Sequence, residues 1–183
     1  MKNNFPYIDF PDRLTVEITN TCNLGCIMCP RHNAEENTGF MQFNMYRKII
    51  EEATHHLPVT LVPFFRGESL LHPDLFEMIK IANKSGLGPI QLATNATLLN
   101  RDNSTKLIES GLDFLSLSLD IDQKNYKTTH LGGDYEKVIN NIDNFITIKR
   151  EMNVTKPDIQ VSTVETSDNR QGLHNFSKYW LER

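Results

Sequence analysis

Leu14-Thr15-Val16-Glu17-Ile18-Thr19-Asn20-Thr21-Cys22-Asn23-Leu24-Gly25-Cys26-Ile27-Met28-Cys29 starts as an apolar, β-branched run and breaks into a polar loop holding all three cysteines of the chain. Such a run reads as a strand, and the loop at its C-terminal end reads as a place for chemistry. Three thiols within eight residues cannot be a disulfide framework, which joins distant parts of a chain. They point instead to metal ligation or redox chemistry.

Outward from this stretch, apolar runs alternate with helix-period segments. A helix is expected over 44–57, capped by Asn44, with Met45, Ile49, Ile50, Ala53 and Leu57 on its buried face. Residues 59–65 read as a second strand, although Pro63 lies inside it. Pro73 and Asp74 open a second helix, which buries Leu75, Phe76, Ile79 and Ala82 and ends at Gly86. A third strand spans 90–94, and a helix capped by Asn100 runs to Gly111. Residues 113–119 alternate Leu115, Leu117 and Leu119 with Phe114, Ser116 and Ser118. Tyr135, Val138, Ile139, Ile142 and Ile146 form the stripe of a fourth helix. A fifth strand follows over 159–164, and Asn169 is expected to cap a last helix carrying Leu173, Phe176 and Trp180. His72 reads as a turn residue before Pro73, and His55, His56, His130 and His174 show no ligand spacing.

Five βα units imply an α/β fold with a parallel sheet covered by helices, and residues 1–183 read as one domain. Sites in such folds collect at the C-terminal ends of the strands. That rule selects Thr19 to Cys29, Arg66-Gly67-Glu68-Ser69, Thr94-Asn95, Ser118-Leu119-Asp120 and Glu165-Thr166, all polar, without reference to any family.

Composition narrows the function classes. The 183 residues carry 19 Lys+Arg against 23 Asp+Glu, a net charge of −4, with 39% hydrophobic and 23% charged side chains. A folded core is therefore expected, and a nucleic-acid partner is not. No apolar stretch reaches the roughly 18 residues of a membrane span. The first residues, broken by Pro6, Asp9, Pro11 and Asp12, lack the apolar core of a signal peptide, so a cytoplasmic location is expected.

The cysteines alone leave several readings open. C-x3-C-x2-C wraps one face of a compact cluster, with Gly25 permitting a tight turn, and leaves one iron free for another ligand. His32 would complete a Cys3His zinc site. Cys26 to Cys29 could be a redox C-x-x-C pair, and a structural binding module is the non-catalytic alternative.

The chain resembles the radical S-adenosylmethionine (radical SAM) enzymes. Cys22, Cys26 and Cys29 match that family's cysteine motif in spacing and in placement after the first strand. Arg66-Gly67-Glu68-Ser69 and His72-Pro73-Asp74-Leu75 resemble its Gly-Gly-Glu-Pro segment and the His-Pro-Asp-Leu that often follows. Thr94-Asn95 and Ser118-Leu119-Asp120 are similar to the ends of its third and fourth strands. The stretch 133–142 is similar to the fourth helix of SPASM-type, peptide-modifying members.

The resemblance implies a partial (β/α) barrel and a [4Fe-4S] cluster on Cys22, Cys26 and Cys29. Reductive cleavage of S-adenosylmethionine (AdoMet) would give a 5′-deoxyadenosyl radical that abstracts hydrogen from an unidentified small molecule or peptide, oxidoreductase- or transferase-type chemistry. It further implies an external one-electron donor of flavodoxin or ferredoxin type. Gly67 and Glu68 would meet the methionyl amino group, and Ser118 the carboxylate or ribose. Asn95 and Asp120 would add hydrogen bonds, and Met28 would stand where members place an aromatic against adenine. Arg66 and Ser69 depart from the motif. Arg66 would bind a substrate carboxylate or phosphate, or else pair with Glu68. Three cysteines leave none for the auxiliary clusters of peptide-modifying relatives. A sixth strand is expected to be missing, from truncation or because a partner closes the barrel.

Overall fold

The structure is a computed structural model that describes residues 10–33, 37–165 and 169–183. Five strands, β1 (Arg13–Thr15), β2 (Thr60–Val62), β3 (Gln91–Thr94), β4 (Phe114–Ser118) and β5 (Asp158–Ser162), follow one another in space as in sequence. Each pairs in parallel with its neighbour, except that β2 and β3 meet only at the bridge Leu61–Ile90. Beside that bridge Leu61 N donates to Pro89 O at 3.2 Å. Proline has no N–H to extend a ladder, so Pro63 ends β2 and Pro89 keeps the junction short. The result is the expected partial barrel, with no closing pair for β5 among the described residues.

Helices α1 (Phe43–Thr54), α2 (Leu75–Lys84), α3 (Arg101–Glu109), α4 (Gln123–Thr129), α5 (Tyr135–Glu151) and α6 (Leu173–Leu181) make the crossovers and the outer layer. The caps follow side-chain chemistry. Asn100, Asp122 and Asp134 accept from the backbone N–H three residues on, at the starts of α3, α4 and α5. The core lies between sheet and helices, with Leu115, Leu117, Val138, Ile142 and Phe145 fully buried. No helix among the described residues is long and apolar enough to cross a membrane.

Two expectations about α1 are corrected. The helix starts at Phe43 with Gln42 as N-cap, because Met41 N bonds Ile18 O at 2.7 Å and sets the entry earlier than Asn44. Its buried face is Tyr46, Ile50 and Ala53, and the Tyr46 hydroxyl donates to Met78 O at 3.1 Å. Met45 and Leu57, expected inside, are 54% and 44% exposed. In α2 the buried place expected for Phe76 is Met78's. Asn169 precedes a short 3-10 turn rather than α6, and its amide donates to Val164 O.

Candidate active site at the strand ends

Gly67 decides how the loop after β2 meets the cysteine loop. A Cβ there would lie 2.2 Å from Thr19 O and 2.8 Å from Thr21 O. Only glycine lets the two backbones touch, and Glu68 N then donates to Thr21 O at 2.8 Å. Next to it, the Glu68 carboxylate is 2% exposed. Its Oε1 accepts from Leu70 N (3.1 Å) and Thr94 Oγ1 (2.7 Å), and its Oε2 from Asn95 N (2.8 Å). The carboxylate thus ties the end of β2 to the end of β3. Burial raises its pKa, and the three bonds offset only part of that.

Arg66 lines the cleft, and the ion-pair partner expected for it, Glu68, is corrected. Its guanidinium forms a two-pronged pair with Glu17, Nε to Oε1 at 2.9 Å and Nη2 to Oε2 at 2.8 Å. The partner is Glu17 on the neighbouring strand end, since Glu68 is turned inward. The Arg66 bonds hold the Glu17 carboxyl below its usual range.

Cys22, Cys26 and Cys29 are half-buried and line a cleft of about 300 Å³. The cysteine loop is pinned to the segment after α4 by Gly25 N–Leu131 O and Ile27 N–Thr129 O, both 2.9 Å. Asn95 Nδ2 donates to Asn23 Oδ1 at 3.0 Å and approaches Cys22 Sγ at 3.9 Å. Burial, then the two neighbouring thiols, push the Cys26 thiol up to about 11. Among the described residues no three His, Cys, Asp or Glu side chains are grouped so as to hold a single metal ion. All three thiols nevertheless line the same cleft. The His32 side chain, required by the zinc reading, lies outside the described residues.

The cleft collects Met28, Gly67, Glu68, Asn95, Ser118 and Asp120 with the cysteines, and Phe64, Phe65 and Val164 add apolar wall. The end of β5 and the residues just after it contribute Ser162, Thr163 and Val164 rather than Glu165, which pairs with Arg170. Thr166 lies outside the described residues. The Ser118 hydroxyl makes no hydrogen bond to another described residue and faces the cleft free for a ligand. Asp120 is 3% exposed and accepts from Thr129 Oγ1, with His130 Nδ1 3.3 Å away. Burial alone would raise its pKa, but the His130 and Thr129 bonds win and hold it below the usual range.

His130, given no role by sequence, therefore belongs to the cleft wall. It was hidden because α4 shows no apolar stripe, only Tyr126 being buried on it. The Asp122 cap was the available signal. Two further residues had no sequence signal. Arg31 Nε and Tyr126 Oη are the buried side-chain polar atoms without a partner among the described residues. A buried group left so costs about 1–3 kcal/mol. The thiol set and the Ser118 hydroxyl, which line one cleft, fit a sulfur-rich cluster with a polar ligand beside it.

The Radical SAM superfamily model matches residues 16–155. The chain belongs to that family. The radical SAM superfamily uses a [4Fe-4S] cluster and AdoMet, and its members are enzymes. The tungsten-containing aldehyde ferredoxin oxidoreductase cofactor-modifying protein of Pyrococcus furiosus is 29% identical over 170 residues, 92% of this chain and 48% of its own length. The GTP 3′,8-cyclase of Chlorobaculum tepidum is 30% identical over 137 residues, 74% of this chain and 41% of its own. The chain spans about half the length of such curated relatives. Among solved structures, anSMEcpe with bound AdoMet superposes with TM-score 0.75 at 21% identity, covering 93% of this chain and 48% of that one. SuiB of Streptococcus suis bound to S-adenosylmethionine superposes with TM-score 0.68 at 20% identity, covering 91% and 38%.

The stretch similar to peptide-modifying members serves packing in this radical SAM chain. Gly133 abuts Tyr126, Asp134 caps α5, and Val138 and Ile142 are core. Asn141 Nδ2 donates to Ala96 O at 2.8 Å, holding Ala96 in the left-handed region at φ 59°. That similarity supports the fold and not a substrate class.

Proposed function

We propose that the chain is a radical SAM catalytic core whose cluster rests on Cys22, Cys26 and Cys29 and whose AdoMet lies in the adjoining cleft. The observation that carries this reading is the meeting of three thiols, the inward Glu68 and the unpartnered Ser118 hydroxyl in one cleft. When bound and reduced by an external one-electron donor, the cluster supplies the electron that cleaves AdoMet to the radical that abstracts hydrogen from substrate.

The chain's own residues bind and orient. Glu68 Oε2 accepts one bond, from Asn95 N, and so keeps acceptor capacity for the methionyl amino group. An ammonium there would favour the ionised carboxylate that burial disfavours. Ser118 offers its hydroxyl to the methionyl carboxylate or ribose. Met28, 46% exposed at the mouth, gives a polarisable surface for adenine. Asn95 braces the cysteine loop against the end of β3, and Asp120 fixes His130 in the wall. The electron donor, of flavodoxin or ferredoxin type, meets the cysteine loop, where Ile27 is 64% exposed. The substrate approaches the cleft beside the end of β5, where Ser162 lines the wall and shares a hydrogen bond with Ser116 at 2.9 Å.

Anaerobic reconstitution tests the reading. About four irons per chain and 5′-deoxyadenosine from AdoMet and reductant are expected. Ser118→Ala should weaken AdoMet binding about tenfold, or about 1.4 kcal/mol, with iron content unchanged. A colourless, zinc-loaded chain that forms no 5′-deoxyadenosine would refute the proposal.

A further inference from the structure

Asn141 acts on the site from a helix that does not line it. The residue is buried on α5, and its Nδ2 donates to two consecutive carbonyls of the loop after β3, Ala96 O at 2.8 Å and Thr97 O at 3.3 Å. Ala96 sits there in the left-handed region, at φ 59°. A residue with a Cβ keeps that conformation only while its surroundings impose it. The Asn141 amide, with one N–H for each carbonyl, imposes it here.

The polar groups of this loop turn to the site. Ala96 N donates to Thr94 Oγ1 at 3.1 Å, which leaves the Thr94 hydroxyl hydrogen for Glu68 Oε1 at 2.7 Å. Asn95 N makes the bond to Glu68 Oε2 at 2.8 Å. The side chains next in line close a ring. Asn95 Nδ2 donates to Asn23 Oδ1 (3.0 Å), Asn23 Nδ2 to Thr97 Oγ1 (2.8 Å), and the Thr97 hydroxyl to Asn95 Oδ1 (2.6 Å). Each member gives one bond to the next and takes one from the last, so the three bonds strengthen one another. Asn23 follows Cys22 directly. One turn therefore supports two bonds to Glu68 and a brace on the cysteine loop.

We propose that Asn141 is a positioning residue for AdoMet: by clamping the Ala96–Thr97 turn, it keeps Thr94 and Asn95 aligned on Glu68 and so fixes where the carboxylate presents its remaining acceptor site. The assignment rests on reading Glu68 as the partner of the methionyl amino group. Asn141 itself lies outside the cleft wall, so it acts only through the turn.

The experiment uses the whole chain with Asn141→Ala, Asn141→Ala/Ala96→Gly, Thr94→Val and Thr94→Ser, well below the parent's melting temperature. It reads amide exchange of Asn95 in the iron-free protein, iron bound after anaerobic reconstitution, and the Kd for AdoMet by equilibrium dialysis. In Asn141→Ala the Asn95 amide should exchange about tenfold faster. Iron content should match the parent, because Gly25 N–Leu131 O and Ile27 N–Thr129 O also pin the cysteine loop. The Kd should rise about tenfold, the worth of one well-placed hydrogen bond. The double variant separates positioning from stability. Its glycine removes the strain and restores part of the melting temperature, yet it returns no bond to the turn, so AdoMet binding should stay weak. Thr94→Val should weaken AdoMet binding to a similar degree, and Thr94→Ser should bind like the parent.

Parent-like AdoMet affinity in a loaded Asn141→Ala or in the double variant overturns the assignment. So does parent-like affinity in Thr94→Val, a result that needs no change at Asn141. A parent that takes up iron but binds no AdoMet fails the reading of the cleft itself, a different result from a parent that binds AdoMet and variants that bind it equally well.

Discussion

Gly67→Ala probes the contact on which the whole site hangs. The new methyl would begin 2.2 Å from Thr19 O, and both atoms of that clash are held by backbone, so no rotamer relieves it. Reaching ordinary contact requires the two loops to part by about 1 Å or more. The Glu68 N···Thr21 O bond, now 2.8 Å, would then stretch beyond hydrogen-bond range. Overpacking of this kind costs about 1–3 kcal/mol, and the lost bond about 1 kcal/mol more. A total of about 2–4 kcal/mol should lower the melting temperature of the iron-free chain by roughly 5–15 °C. Since Thr19 to Thr21 lead directly into Cys22, iron uptake on reconstitution should fall with it. Gly39→Ala is the control, because nothing lies within 4 Å of its added Cβ. A Gly67→Ala chain that melts with the parent and takes up as much iron would refute the reasoning.

Glu68→Gln should change the pH dependence of stability. Burial gives the folded chain a carboxyl that holds its proton more tightly than the unfolded chain does. Its contribution to stability therefore falls as pH rises from the ordinary carboxylate range through the raised value. Subtracting the variant's melting curve from the parent's isolates this trend from Glu17 and Asp120, whose lowered pKa values act in the opposite direction. A difference independent of pH would contradict it. Asn141→Ala should cost about 1–3 kcal/mol by stranding Ala96 O and Thr97 O. Ala96→Gly should recover about 1 kcal/mol of that by removing left-handed strain. Thermal melting of the single and double variants measures both, and a double variant no more stable than Asn141→Ala would rule the strain out.

The parallel alternation of apolar runs and helix stripes was legible because its periods survive in the chain itself. The strand-end rule then found Asn95, Ser118 and Asp120 with no knowledge of their neighbours. What escaped depends on neighbours far away in sequence. Arg66 meets Glu17 across 49 positions, a pairing that no local pattern announces. Arg31 and Tyr126 are distinguished by bonds they lack, which only a folded chain reveals. On α1 the stripe itself was seen, but whether Met45 or Tyr46 faces inward turned on one residue of helix start, set by the Met41–Ile18 bond.

The short junction between β2 and β3 divides the site unequally. The cysteine loop and Gly67 belong to the β1–β2 pair, whereas Ser118 and Asp120 belong to the three-stranded piece. One bridge joins the ladders there, and the Glu68 bonds to Thr94 and Asn95 cross the same seam. Glu68 is therefore a strut across that seam. By fixing the spacing of those two pieces, it keeps the cysteine side of the cleft in register with the Ser118 side, and a loosened strut would change the width of the cleft without altering a single cysteine.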